Sequence, residues 1–420
     1  MCIALGGERS TRLLDQYGTP MTEDVIDYPF ATPTRLDVDP RYKEIRPQGI
    51  VRVQLPYGEP CWLVTSHADA KIAYDFRNFG RTEGLKHAIP GLHNTEQIKI
   101  PTLLLHMDPP GHTRVRQLAA GAFSPDRILK LTGWVQGIVD ELLDAIEAEG
   151  PGADFIRLFS HVLPVRVLAG VLGIPAERAF EFKQWVDISS DFANPPEKKL
   201  EARNNNMNFI RELIAQRRET ETDDLLSVLV HARDNGDKFA EDELVSLAMA
   251  LWNGGFKTTL WQLGTTLYTL MTHPDHWRDL KDNPENMNAA LNELWRWIPS
   301  FKYGVPFVFW AKKDVEFTHG KIVREGEAAL VEFAVVNRDE EVYPDPDKLD
   351  FHRVKPAPHM SFTAGAHSCV GQHLARLQIK LTLESLVRRF PNLELAVPAE
   401  DIEFDTASFM RSIKAMPLKW

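Results

Sequence analysis

The chain has 420 residues, 44% of them hydrophobic, enough to bury a large core and too many for a disordered polymer. Its 48 basic against 59 acidic residues leave a net charge of −11, the wrong sign for a general nucleic-acid binder. No stretch approaches about 18 uninterrupted apolar residues, and the opening MCIALGGERSTR lacks the basic-then-apolar order of a secretion signal. Three cysteines, Cys2, Cys61 and Cys369, are too few for a disulfide framework and fit a reducing compartment. The expectation is a cytoplasmic monomer with neither a membrane nor a nucleic-acid partner.

Residues 1–45 are polar and proline-rich, a loosely packed lead-in. In IVRVQLPYGEPCWLVTSH (50–67), Val51, Val53 and Leu55 alternate with polar residues, a Pro/Gly turn follows, and Trp62-Leu63-Val64 complete a predicted hairpin. Ser124-Pro125 opens a helix with proline at its first position. Ile128, Leu131, Val135, Ile138, Val139, Leu142 and Ile146 then keep a helical period up to Gly150-Pro151. The segment FAEDELVSLAMALWNGGFKTTLWQLGTTLYTLMTHP (239–274) predicts one continuous helix, with acidic residues complementing its dipole and Pro274 ending it. About 32 residues at ~1.5 Å each reach close to ~48 Å, and a helix that apolar must cross the interior.

Residues 314–336 turn to strand character, clearest in EAALVEFAVV (327–336), and NRDEEVYPDPDKLDFHR (337–353) reads as loop. Length alone predicts two or three domains, because cores rarely grow past roughly 250–300 residues. No repeat, low-complexity tract or linker supports that division. One unit over 1–420, mainly α with a smaller β-rich part near 50–67 and 314–336, is the expected architecture.

The stretch SFTAGAHSCVGQHLARLQ (361–378) carries the chemistry. A lone cysteine is most often a small buried hydrophobe. Here Phe362, Gly365, His367, Cys369 and Gly371 form a turn that feeds straight into a helical pattern. A helix N-terminus favours negative charge and lowers a thiol's pKa, so a thiolate ringed by backbone N–H groups makes a metal ligand. No second cysteine stands nearby for a zinc or iron–sulfur cage. A metal that arrives with four ligands of its own needs only one more, and haem iron is such a metal.

The stretch resembles the haem-ligand signature of the cytochrome P450 family: Phe362, Gly365, His367, Cys369 and Gly371, then Leu374-Ala375-Arg376, with Thr363 where glycine is frequent. Glu293 and Arg296 in NELWRW resemble the family's Glu-x-x-Arg pair, and Arg353 in LDFHR its third member. Alone, Glu-x-x-Arg is an ordinary surface ion pair; the resemblance implies a buried structural triad. DPPGHTRVR (108–116) resembles the segment that grips the haem propionates, and so implies contacts from His112 and Arg116, with His367 as a third. Read by itself, that segment is a solvated helix start. Where the family commonly has another propionate arginine, this chain has Phe309.

The resemblance spans nearly the whole chain and implies the cytochrome P450 fold, with the long helix crossing the haem and 361–371 as the thiolate loop. It further implies haem b bound through Cys369, O2 as co-substrate, and electrons from a ferredoxin and ferredoxin reductase. Arg114, Arg116, Arg376 and Lys380 would attract an acidic ferredoxin. NGGFKTT (253–259) aligns with the family's Ala-Gly-x-acid-Thr; Gly254 and Gly255 weaken the helix and can open a groove for O2 and water, and Thr258 falls where the family has its alcohol, unless it back-bonds within its own helix. The family's acid is replaced by Lys257. Three roles stay open for it: pairing with Asp187 or Asp191 in FEFKQWVDISSDF (180–192), holding a substrate carboxylate, or standing idle in solvent.

By the family's layout, substrate contacts fall at His87 to Leu92, Ala250 and Asn253, Tyr303, Val305 and Pro306, and Phe409 within Ser408–Met410. Two functions remain. One is oxidation of a small molecule in specialised biosynthesis, by hydroxylation, epoxidation, or oxidative coupling or cyclisation. The other is a haem protein that binds without turnover, as a carrier or recruitment partner.

Overall fold

The computed structural model describes residues 25–30, 35–92, 99–191, 194–234, 240–303, 308–405 and 410–420. Val305, Pro306 and Phe409 lie outside the described residues. Strands β1 Ile26–Asp27, β2 Val51–Gln54, β3 Cys61–Val64, β4 Phe79–Gly80, β5 Val308–Ala311, β6 Val315–Glu316, β7 Ile322–Val323 and β8 Ala328–Val331 follow the chain. Six form one sheet in the order β1-β2-β3-β8-β5-β4, and β6 pairs with β7.

The sheet is apolar on both faces, and strand periodicity sorts its residues. Trp62, Val64, Phe309, Ala311, Ala329 and Val331 join one cluster. Their alternating neighbours Cys61, Leu63, Val308, Trp310, Ala328 and Leu330 join the other. Cys61 is 0% exposed, and burial pushes its thiol up to about 12. The run 327–336 is only half strand. After Val331 the Glu332 carboxylate accepts from the Ala334 N–H at 3.2 Å, and the chain turns into a short helix. Both halves are buried, so apolar content alone did not separate them.

Helices begin with α1 Arg41–Ile45, α2 His67–Ala73, α3 Gly111–Ala122, α4 Pro125–Lys130, α5 Thr132–Glu149, α6 Leu163–Leu172, α7 Ala176–Ser190 and α8 Pro196–Glu219. They continue with α9 Leu225–Asp234, α10 Glu241–Gly255, α11 Lys257–Thr272, α12 Pro274–Asp282, α13 Met287–Trp297, α14 Phe333–Val336 and α15 Gln372–Arg389. Residues from α3 through α15 build the largest apolar core. Among the described residues no single helix is long and apolar enough to cross a membrane.

Two expected helices are each broken in two. The one opening at Pro125 stops at Lys130, and α5 restarts after Leu131, where the Thr132 hydroxyl donates to the Leu129 carbonyl at 2.6 Å. The long central helix is α10 and α11, separated at Phe256. Adjacent glycines weaken a helix, and threonine hydroxyls that bond carbonyls a turn back bend it. Both causes meet here: the Thr258 Oγ1 donates to the Gly254 carbonyl at 2.9 Å and the Thr259 Oγ1 to that of Gly255 at 3.2 Å. Gly255 also lets α6 approach, since a Cβ there would lie 2.8 Å from Leu168 Cδ2.

Candidate active site

The cysteine turn is a short, strained loop held shut by its own backbone. The Cys369 N–H donates to the Phe362 carbonyl at 2.9 Å. Gly365 sits at φ 69°, where a Cβ would fall 2.4 Å from the Tyr74 carbonyl oxygen. Thr363, at φ 58°, also adopts the left-handed region, which is costly for a β-branched residue. Its hydroxyl offsets part of that cost by donating to the His367 carbonyl at 2.9 Å.

Cys369 stands just ahead of α15. The protein packed around the thiol raises its pKa; hydrogen bonds from the Gly371 and Gln372 N–H groups and the Arg116 charge pull it down. The Arg116 guanidinium donates to the Ser368 hydroxyl at 3.2 Å. His112 is 1% exposed, and its ring centroid lies 4.2 Å from that of His367. Burial and then Arg116 push His112 down to about 4, and burial and then Arg81 push His367 to about 2. Among the described residues, neither ring nitrogen of His112 and not the Nε2 of His367 has a hydrogen-bond partner.

This donor set fits haem. A thiol beside backbone N–H groups suits an axial ligand, and buried imidazole nitrogens next to an arginine suit carboxylates that need donors.

The Glu-x-x-Arg helix braces the turn from behind. The Glu293 carboxylate accepts from Arg296 at 2.7 and 2.8 Å, from Arg353 at 2.9 Å and from the Asp350 N–H at 2.9 Å. Arg296 continues to the carbonyls of Asn337 at 2.9 Å and Pro346 at 2.8 Å. The Asn337 amide then brackets the loop entrance, accepting from Met360 N–H at 2.7 Å and donating to Ser361 Oγ at 2.8 Å. Sequence reading missed Asn337 and Ser361, because their partners lie far away along the chain. Phe362 rests on Trp295 with centroids 4.4 Å apart, under the Arg376 guanidinium at 5.0 Å.

On the helical side, Gly254 and Thr258 are exposed and Ala250 is half-buried. Spaced four apart, they form one accessible stripe along α10 and α11. The Oδ1 of Asn253, a residue of the same helix, is buried with no partner among the described residues. Lys257 points to α7. Its ammonium lies 2.9 Å from Asp187 Oδ1 and contacts the Ser190 hydroxyl. Lys183 holds the other Asp187 oxygen at 2.5 Å. Burial lowers the Lys257 pKa, with Asp187 offsetting it. Burial works to raise Asp187, yet the Lys257 and Lys183 charges hold its carboxyl below the usual range.

Other expected positions are otherwise engaged. Tyr303 is buried in the sheet core, edge-on to Tyr28 with centroids 6.3 Å apart. Leu92 packs against the same cluster. His87 stacks on Trp310 and pairs with Glu59 at 3.2 Å and Glu83 at 3.4 Å. Of the expected basic patch, Arg114 pairs with Glu243 on α10 and Lys380 lies 3.8 Å from Glu384, so two of its four charges are already matched.

Residues 168–419 match the family described as Cytochrome P450. Nocardicin C N-oxygenase of Nocardia uniformis subsp. tsuyamanensis is 38% identical over 94% of this chain and 99% of its own length. Mycinamicin IV hydroxylase/epoxidase of Micromonospora griseorubida is 35% identical over 94% of this chain and 98% of its own. The crystal structure of cytochrome P450mel 107F1, with biaryl coupling reactivity, superposes with a TM-score of 0.88 at 34% identity, over 94% of this chain and all of that one. Each is named for an oxidation, which does not favour the non-turnover reading. A cysteine turn at a helix mouth, a buried Glu–Arg–Arg brace behind it and likeness along almost the whole chain converge: this protein belongs to the cytochrome P450 family and is a haem-thiolate oxidoreductase.

Proposed function

We propose that this protein is a tailoring oxidase of specialised metabolism, acting over 1–420 as one unit. Cys369 ligates haem b, and a separate ferredoxin with its reductase supplies electrons. The observation that carries this reading is the Cys369 turn, whose thiol faces the Gly371 and Gln372 N–H groups at the start of α15. Bound haem supplies oxygen activation by a thiolate-ligated iron, which favours O–O cleavage.

The chain's own residues do the rest. His112, Arg116 and His367 orient the cofactor through its carboxylates, and the Glu293–Arg296–Arg353 brace keeps the loop in register. Ala250, Gly254 and Thr258 line the face toward O2 and the substrate. No carboxylate accompanies Thr258, because Lys257 stands at that position and spends its charge on Asp187. Protons then reach the site through Thr258 and water along the Gly254 stripe, which requires the Thr258 hydroxyl to leave the Gly254 carbonyl. Relatives whose names cover N-oxygenation, hydroxylation, epoxidation and biaryl coupling support a small molecule with apolar or aromatic surface.

The test is spectroscopic. The reduced carbon monoxide complex should show the red-shifted Soret band of thiolate ligation. Cys369→Ser should lose that band, and Cys61→Ala should keep it. Retention of the band in Cys369→Ser refutes the ligand assignment. A spectral-shift screen of candidate ligands then identifies the substrate class.

A further inference from the structure

The family's missing propionate arginine has a structural counterpart one strand away. In the antiparallel pair β4–β5, Phe79 faces Ala311 and Gly80 faces Trp310. Arg81 follows directly on that ladder, one step past its last pair, as Phe309 does on β5. Directly opposed residues share a face of the sheet, about 5 Å apart. The Arg81 guanidinium carbon lies 4.1 Å from the centroid of the Phe309 ring. Phe309 is itself fixed by Tyr74, edge-on with centroids 5.4 Å apart. Arg81 is no surface cation: it is 5% exposed.

Its backbone is tied to the segment that carries His112 and Arg116. The Asp108 carboxylate accepts the Arg81 N–H at 2.8 Å and the Thr82 N–H at 3.2 Å. The Asp108 carbonyl accepts the His112 N–H at 2.9 Å, in the first turn of α3. A Cβ at Gly80 would lie 2.4 Å from Asp108 Oδ2, so a larger residue before the arginine would push on the Asp108 side chain. One aspartate therefore holds the sheet edge and α3 in a fixed relation. The positive charge of Arg81 is felt at His112.

We infer that Arg81, just past the neighbouring strand β4, supplies the guanidinium that the family resemblance implies at position 309, and that it binds one haem carboxylate while Arg116 serves the other. This rests on Cys369 being the haem ligand. Two guanidiniums match two carboxylates, and the planar fork of arginine suits carboxylate geometry better than a point charge does. The Phe309 ring acts as a platform that fixes the guanidinium plane by a cation–π contact.

The experiment measures haem loss from the holoprotein to an apomyoglobin scavenger, alongside the carbon monoxide band. Arg81→Leu should speed haem loss by about tenfold or more, the scale of one charge-assisted hydrogen bond, with the thiolate band intact. Arg81→Leu/Phe309→Arg should bring the rate back toward wild type. An unchanged rate in Arg81→Leu overturns the inference. So does a fast rate that the relocated arginine does not slow while circular dichroism stays native, because Arg81 then serves only packing. If Arg81→Leu does not fold, Arg81→Lys reads the same rate: faster loss supports the carboxylate contact, and an unchanged rate overturns it. Absence of the thiolate band from the wild-type protein strikes the Cys369 reading instead, and the two failures are thus told apart.

Discussion

The cysteine turn and the Phe256 junction are stabilised in opposite ways. Behind the turn, the links are buried or partly buried and redundant: four hydrogen bonds reach the Glu293 carboxylate, and Arg296 and Asn337 pass the constraint to Met360 and Ser361. At the junction, the helix ladder is interrupted, two threonine hydroxyls bond back to the glycine carbonyls, and the tie to α7 passes through Lys257, Asp187 and Ser190. The side that must hold a metal ligand is over-determined. The side that the proposed function opens to oxygen and substrate is tied to α7 by few contacts, as expected of elements that open and close.

The largest effect should come from breaking the over-determined side. Arg296→Leu takes two of the four hydrogen bonds from the Glu293 carboxylate, which is 4% exposed, and leaves it only Arg353 and the Asp350 N–H; breaking a buried pair costs up to about 3–5 kcal/mol. Thermal denaturation should show a marked fall in Tm, with poor haem retention. A variant with wild-type Tm and full haem would erase the contrast between the two regions.

Next in size is the Lys257 latch. Lys257→Met should cost about 1–2 kcal/mol, between an exposed and a fully buried pair. Hydrogen exchange should rise along α7, and neutral and anionic ligands should weaken alike. Lys257→Asp should do more harm by facing Asp187 with a second carboxylate, and Lys257→Asp/Asp187→Lys should recover the binding. Selective loss of carboxylate-bearing ligands in Lys257→Met would replace the latch with a substrate anchor. The pH sign follows from Asp187. Its folded pKa is depressed, so its contribution is whole above the ordinary carboxylate range and is lost as pH falls through the folded value. That acid loss should shrink in Lys257→Met.

The smallest effect belongs to Thr363. Replacing it with glycine relieves left-handed strain of about 1–2 kcal/mol, offset by glycine's chain entropy and the lost hydrogen bond. The net change in Thr363→Gly should be under about 1 kcal/mol. Thr363→Ala keeps the strain and loses the bond, so it should be the less stable of the two. The reverse order in urea melts would mean that the φ of 58° carries little strain.

What was legible in the sequence follows from locality. The cysteine turn could be read because its residues are contiguous, and the hairpin because Val51, Val53 and Leu55 alternate. The break at Phe256 was not read, because its flanks keep a helical period and the cause lies in side chains bonding backwards. Arg81 was invisible for a different reason. Nothing near it in the chain signals its role, and Phe309, its platform, is brought beside it only by the β4–β5 register. The packing of Tyr303 against Tyr28 was not legible either, because an aromatic residue after the Glu-x-x-Arg helix serves a pocket and a sheet core equally well by composition.

Cys61 turns the centre of the sheet into a clock. Its thiol is sealed between β2 and β8, has no exposed surface and is pushed up to about 12, so the native fold offers electrophiles neither access nor thiolate. Alkylation at that sulfur can proceed only when β3 parts from its neighbours. The labelling rate under native conditions therefore counts excursions of the sheet alone, separately from anything that happens at the cysteine turn.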